Sequence, residues 1–174
     1  ISFINEMALL CEAYGANINR VRAGMCSDSR IGHAFLHPGL GYGGSCFPKD
    51  TVALIRMAQE HGVSSRIVES VVEVNASQKA RMVSKIKEAL GGSVADKTIA
   101  VLGLTFKPQT DDMRDAPSLA ILPPLMDRGA QIRAHDPQGM EEAKLELPPG
   151  IHYAESIEDA IQGAPLQHLL PLSD

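Results

Sequence analysis

Cysteine is scarce in this chain: three residues, Cys11, Cys26 and Cys46, in 174. The count is odd and no C-x-x-C spacing occurs, which argues against a disulfide framework or a zinc site. A reducing, cytoplasmic setting is expected. No apolar run approaches the roughly 20 residues that span a bilayer, so no membrane partner is expected. No basic block occurs and the net charge is -5, which argues against a nucleic-acid partner. The six histidines show no ligand spacing, and no metal is expected. Internal repeats and low-complexity tracts are absent. The opening, ISFINEMALLCEAYG, has no basic n-region. It also lacks an initiator Met and starts inside an amphipathic pattern, as expected of a fragment that begins mid-helix.

What is present suits a globular chain with one large domain or two small ones: 44% of the residues are hydrophobic. Ile1, Ile4, Ala8 and Cys11, then Val21 and Met25, recur at helical spacing over residues 1–28. Gly15 should end a first helix and Asn17 should cap a second. Residues 29–47 are glycine-rich and read as a long loop, a length that often signals function. Pro48 suits the first position of a helix running to about His61, ended by Gly62. Ser64 or Ser65 should cap the next helix. From Arg66 to Leu90 there is neither Gly nor Pro. The valines at 68, 71, 72 and 74 leave a local strand open, but length favours one long helix, stopped by Gly91-Gly92.

The texture then changes. KTIAVLGLTF reads as a buried strand entering a loop. DAPSLAILPPLMDRG reads as a helix with Pro117 near its start and a kink or restart at Pro123-Pro124. AQIRAHDP reads as a second strand and SIEDAIQG as a short helix. This alternation is the grammar of a doubly wound sheet. The fold class expected is a helical domain at 1–92 followed by an incomplete, Rossmann-like α/β domain at 97–174. The end, PLQHLLPLSD, carries two prolines and a His and makes a poor central strand, as a truncated or altered end would.

The stretch GLGYGGSCFPKD, 39–50, raises the question of chemistry. Gly39, Gly41 and Gly44 fit G-x-G-x-x-G, but no buried strand precedes them and no helix opens among them, so the phosphate-cradle reading is weak. A thiol reading explains more. Cys46 falls just before a helix N-terminus, where the dipole and Lys49 favour a thiolate. Asp50, one turn on, could handle a proton or a water. A buried, inert structural cysteine stays open as the alternative. Cys11 and Cys26 sit at apolar helical positions and read as core.

GYGGSCFPKD resembles the active-site signature of the UDP-glucose/GDP-mannose dehydrogenase family. GLTFKPQTDDMRDAPS, 103–118, resembles the loop after the first strand of that family's C-terminal nucleotide-binding domain. ISFINE resembles a helix segment of its central domain. The three matches lie in the family's order, and Phe47-Pro48 looks more like its UDP-glucose branch. The family has an N-terminal NAD-binding Rossmann domain, a helical central domain and a C-terminal α/β domain. This chain resembles the second and most of the third. A family Lys and Asn that stabilise the oxyanion would precede Ile1.

The resemblance implies oxidation of a sugar C6 alcohol to the acid in two hydride transfers to NAD, with Cys46 as nucleophile and Asp50 positioning water. It implies substrate contacts for Arg30 (reaching the neighbouring subunit's substrate), Phe35, Leu36, Tyr42, Gly43 and Ser45. It makes Phe106 and Lys107 a base- and phosphate-facing pair, and places Lys49 and Arg114 near the cofactor. The implied partners are UDP-glucose and a second copy of the chain, joined through the helical domain and its long helix. Rival substrates are GDP-mannose and UDP-N-acetyl-hexosamines. A non-catalytic binding or dimerisation module and a thiol hydrolase using Cys46 and a His remain as readings from other classes.

Overall fold

A computed structural model describes residues 1–164 and 170–171. They fall into two compact units. One comprises Ile1–Gly41 and Lys49–Gln78; the other comprises Tyr42–Pro48 and the chain from Lys79 onward.

The first unit is helical. Helix α1 (Ser2–Tyr14) ends at Gly15, which adopts the left-handed conformation. Helix α2 (Ile18–Cys26) is capped by Asn17, whose side chain accepts from the amides of Asn19 and Arg20; both signals were legible in the sequence. Helix α3 spans Phe47–Glu60, starting one residue before the proline expected to open it. Helix α4 (Arg66–Ala89) is a single helix of 24 residues, of which residues 66–78 belong to this unit. The valines that left a strand open there are absorbed by its length, and α4 ends in bonds from the Gly91 and Gly92 amides to the carbonyls of Glu88 and Lys87. The Ser2 hydroxyl donates to the Val71 carbonyl at 2.9 Å, tying α1 to α4. Ile4 and Asn5 are fully buried beneath them.

The second unit holds a parallel sheet. Strands β1 (Thr98–Leu102), β2 (Gln131–His135), β3 (His152–Tyr153) and β4 (Leu170–Pro171) lie in the order β3-β2-β1-β4. Thr98 pairs with Gln131 and Leu102 with His135. The connecting helices are α5 (Pro117–Met126), α6 (Met140–Glu146) and α7 (Ile157–Ile161). Ile99, Ala100 and Val101 of β1, Ile132 and Ala134 of β2, and Ile121, Leu122 and Leu125 of α5 form the core.

One expectation needs correction here. No restart occurs at Pro123-Pro124: α5 runs through both. The prolines sit late in the helix, where they remove only two amide donors, and the buried apolar face holds it in place. The terminal segment, expected to make a poor central strand, pairs at Leu170–Pro171 in parallel with Val101–Leu102. β4 lies at the edge of the sheet among the described residues, where a proline's missing amide costs least. His168 lies outside the described residues.

The fulcrum of this unit is Asp136, immediately after β2 and only 4% exposed. One carboxylate oxygen accepts from the amides of Leu104 (2.7 Å) and Thr105 (3.2 Å). The other accepts from Gln138 (2.8 Å) and Gly139 (2.7 Å). Burial alone would push this carboxyl up; the four amides outweigh burial and hold it below its ordinary value. Its stabilisation is therefore complete above the unfolded carboxylate value of about 3.9 and is lost as pH falls through the lower folded value. Asp136→Ala orphans buried donors and should cost at least about 2 kcal/mol. Urea unfolding at pH 7 checks this, and the gap between variant and wild type should shrink as the acid limb is entered.

Candidate active site

In the first unit, one arginine shapes the loop after α2. The Arg22 guanidinium donates to the Leu36 carbonyl at 2.6 Å and lies 2.7 Å from His37 Nε2. Farther along, the Gly39 amide donates to Asn5 Oδ1 at 2.8 Å, and the Gly39 carbonyl accepts from Gln78 Nε2 at 2.7 Å. The entry to the cysteine stretch is therefore held from both sides by buried amide side chains. Arg30 is exposed and forms a forked pair with Asp28. Phe35 is exposed and Leu36 half-buried. Lys49 and Asp50, in the first turn of α3, pair with each other at 2.5 Å.

In the second unit, the loop that leaves β1 is built on Asp136. With the Leu104 amide held by that carboxylate, the Leu104 carbonyl accepts from the buried Ser118 hydroxyl at 2.5 Å. The Phe106 amide donates to the Asp112 carbonyl at 3.3 Å, and the Thr105 hydroxyl donates to the Lys107 carbonyl at 2.9 Å. Met113 and Ala116 are buried. Lys107 Nζ lies 5.2 Å from the centre of the Phe106 ring. Arg114 grips Asp112 with two bonds, at 2.9 and 2.7 Å, and holds that carboxyl down at about 2. Asp115 has φ +52°, and its carbonyl accepts from Lys79 Nζ at 2.9 Å. Burial lowers the Lys79 ammonium below its ordinary value, against the pull of the Asp115 charge.

The segment Tyr42–Pro48 belongs to this same unit and rests on that loop. The Gly44 amide donates to the Arg114 carbonyl at 2.7 Å. A Cβ at Gly43 would collide with the Asp115 carbonyl oxygen, and one at Gly44 (φ +89°) would lie 2.7 Å from Phe106 Cε2. Only glycine allows so close an approach. Tyr42, buried, stacks at a tilt on Phe47 with ring centres 5.6 Å apart. Cys46 follows, exposed, with its Sγ 3.6 Å from the Ser45 hydroxyl. Arg114 is held above the ordinary guanidinium value first by its bonds to Asp112, then by that carboxylate's charge, and in smaller part by Cys46. An accessible sulfur, a helix N-terminus directly after it and a cation nearby are what a nucleophilic thiol requires. Among the described residues, no group of three His, Cys, Asp or Glu side chains could hold a metal ion, and no helix is long and apolar enough to cross a membrane.

Two family models match the chain. Residues 1–77 match the central domain of the UDP-glucose/GDP-mannose dehydrogenase family, and residues 100–169 match the UDP binding domain of the same family. The chain belongs to the UDP-glucose/GDP-mannose dehydrogenase family. It is 54% identical over 144 residues to the UDP-glucose 6-dehydrogenase of Rhizobium meliloti (strain 1021), covering 83% of this chain and 33% of that protein. It is 51% identical over 164 residues to UDP-glucose 6-dehydrogenase YwqF of Bacillus subtilis (strain 168), covering 94% and 37%. A solved UDP-glucose dehydrogenase from Pyrobaculum islandicum superposes with a TM-score of 0.92 at 36% identity, over 99% of this chain and 39% of that one. The chain thus spans about a third of the length of the curated relatives it matches.

Of the residues that the family resemblance singles out, the second unit gathers Tyr42, Gly43, Ser45, Cys46, Phe106, Lys107 and Arg114. Arg30, Phe35, Leu36, Lys49 and Asp50 belong to the first unit. Sequence reasoning passed over Asn5 and Gln78, which hold Gly39, and over Lys79, Asp115 and Asp136. Only Asp136 carried a local signal: an Asp before Pro at the end of a strand, poised for an Asx turn. The contrast in thiol exposure is directly testable. Cys11 and Cys26 are 8% and 4% exposed, so iodoacetamide should label Cys46 first. Peptide mass spectrometry should find it faster by more than about tenfold, the factor that 1.4 kcal/mol of local opening imposes on the other two.

Proposed function

We propose that this chain is the central and UDP-binding part of an NAD-dependent nucleotide-sugar dehydrogenase that oxidises the C6 alcohol of UDP-glucose to UDP-glucuronate. The observation that carries the reading is Cys46: the exposed one of three cysteines, placed directly before α3 on a loop seated against the loop of Phe106, Lys107 and Arg114. The identities to UDP-glucose 6-dehydrogenases support the substrate class. In this reading residues 1–92 form the central domain and 97–174 the UDP-binding domain.

The chemistry assigned to the chain's own groups is as follows. The Cys46 sulfur adds to the C6 aldehyde, forming a C–S bond and a thiohemiacetal. Loss of a hydride from that carbon and of the proton from its hydroxyl leaves a thioester on Cys46. A water positioned by Asp50 attacks the acyl carbon, the C–S bond breaks, and the uronate leaves with the thiol restored. Sulfur serves in both steps because it is a soft nucleophile and a good leaving group. The cofactor, when bound, supplies the hydride acceptor for both oxidations. Lys49 and Arg114, with side chains 68% and 69% exposed, are each assigned to the cofactor. Phe106 and Lys107 are assigned to the uracil base and the phosphates. Tyr42, Gly43, Ser45, Phe35 and Leu36 are assigned to the sugar and phosphate loop, and Arg30 to the substrate of a neighbouring copy.

A homodimer through the helical domain completes the reading. Val52, Leu54 and Met57 on α3 and Ile67 on α4 are exposed apolar side chains, Ile67 at 83%, and surfaces of that kind support a protein interface. The nucleotide decides between UDP-glucose and the GDP-mannose alternative. UDP at a hundred times its Kd should stabilise the chain by about 2.7 kcal/mol and raise Tm by roughly 5–10 °C, while GDP should not. Scanning calorimetry with each nucleotide makes the test; protection by GDP equal to that by UDP would overturn the assignment.

A further inference from the structure

The Phe106 side chain is half-buried, and one edge of its ring lies against the backbone of Gly44. A Cβ built at Gly44 would stand 2.7, 2.9 and 3.0 Å from Phe106 Cε2, Cζ and Cδ2, so one edge of the ring occupies the space a side chain would take. A Cβ built at Gly43 would stand 3.1 Å from Phe106 Cβ. Both glycines are buried. The amide of Gly44 is spent on the Arg114 carbonyl, eight residues along the same loop from Phe106. The ring and that one bond therefore locate residues 43 and 44 in three dimensions, and Cys46 lies two residues beyond.

We propose that Phe106 is a positioning residue for Cys46: its ring seats the glycine pair of the cysteine loop and thereby fixes where the sulfur stands. A flat ring against bare backbone is a steric stop with little freedom, since protein interiors do not deform continuously. The ring's own place is set from below by the Phe106 amide bond to Asp112 and by the Asp136 grip on Leu104 and Thr105. A sub-ångström error at a reacting atom is costly in catalysis, which gives such a seat its purpose. The importance of the seat rests on the reading of Cys46 as the nucleophile. Its test does not use catalysis, so failure of the seat would leave that reading standing.

The test is amide exchange at residue 44, followed by NMR or by peptides spanning 42–48, in wild type, Phe106→Ala, Gly44→Ala and the double variant. Phe106→Ala should speed exchange at Gly44 about tenfold, with β1 amides unchanged, and should shift the iodoacetamide rate of Cys46 at least threefold while Cys11 and Cys26 stay protected. Gly44→Ala should speed exchange at residue 44 in the wild-type background and add less once the ring is gone, because only the strain of the positive φ then remains. Purely structural, independent roles would instead give additive effects. If Phe106→Ala does not fold, Phe106→Leu removes the ring edge while keeping an apolar side chain. Exchange at Gly44 changed less than twofold, an equal loss of protection across β1, additive effects of the two substitutions, or an unmoved Cys46 rate would each overturn the proposal.

Discussion

One carboxylate carries much of the second unit. Asp136 sits where β2 ends, is almost wholly removed from solvent, and accepts four backbone amides from two loops. A buried charge is tolerated only when its oxygens are satisfied in this way. Two of the four amides belong to Leu104 and Thr105, the first residues of the loop that leads to Phe106, Asp112 and Arg114. Those residues in turn receive Gly43 and Gly44. The position of an exposed thiol thus traces back through a ring, a loop and a carboxylate to the end of a strand.

The same chain of dependence explains a feature of the family's signature. GYGGSCFPKD has the look of a phosphate-binding turn, yet its glycines serve contact with protein. Gly43 and Gly44 let backbone approach the Asp115 carbonyl and the Phe106 ring, while Gly39, just before the signature, is gripped by Asn5 and Gln78. Phe47 and the proline after it open α3. The stretch changes from packed loop to helix at Cys46, which leaves the sulfur exposed at the junction.

Much of the architecture was legible because it is local. Gly15 and Asn17 end and start helices by their own chemistry, and 24 residues without Gly or Pro settle α4 as helix despite its valines. The apolar run of β1 declares a buried strand, while β2, QIRAH, is buried only at Ile132 and Ala134. What was not legible depends on contacts distant in sequence. β3 and β4 are two residues each and exist only through pairing with a neighbour. α6, a single short helix, carries no periodic signal of its own. Pro123 and Pro124 argue for a break that packing of Ile121, Leu122 and Leu125 overrides. At the site, Cys46 and its helix were visible from spacing. The contact of Phe106 with Gly44, and the roles of Lys79 and Asp136, were not, because each joins residues from 31 to 62 positions apart.

The central claim is that the Cys46 sulfur carries the acyl group, and intact-mass analysis tests it most directly. The chain would be combined with a separately expressed N-terminal segment bearing the cofactor domain, NAD+ and the UDP-sugar 6-aldehyde, and quenched within a single turnover. The account expects a mass increase equal to the UDP-sugar acyl group, mapped to Cys46 and absent from Cys46→Ser. An assembled complex that binds NAD+ and the aldehyde, yet shows no adduct on Cys46, would contradict it.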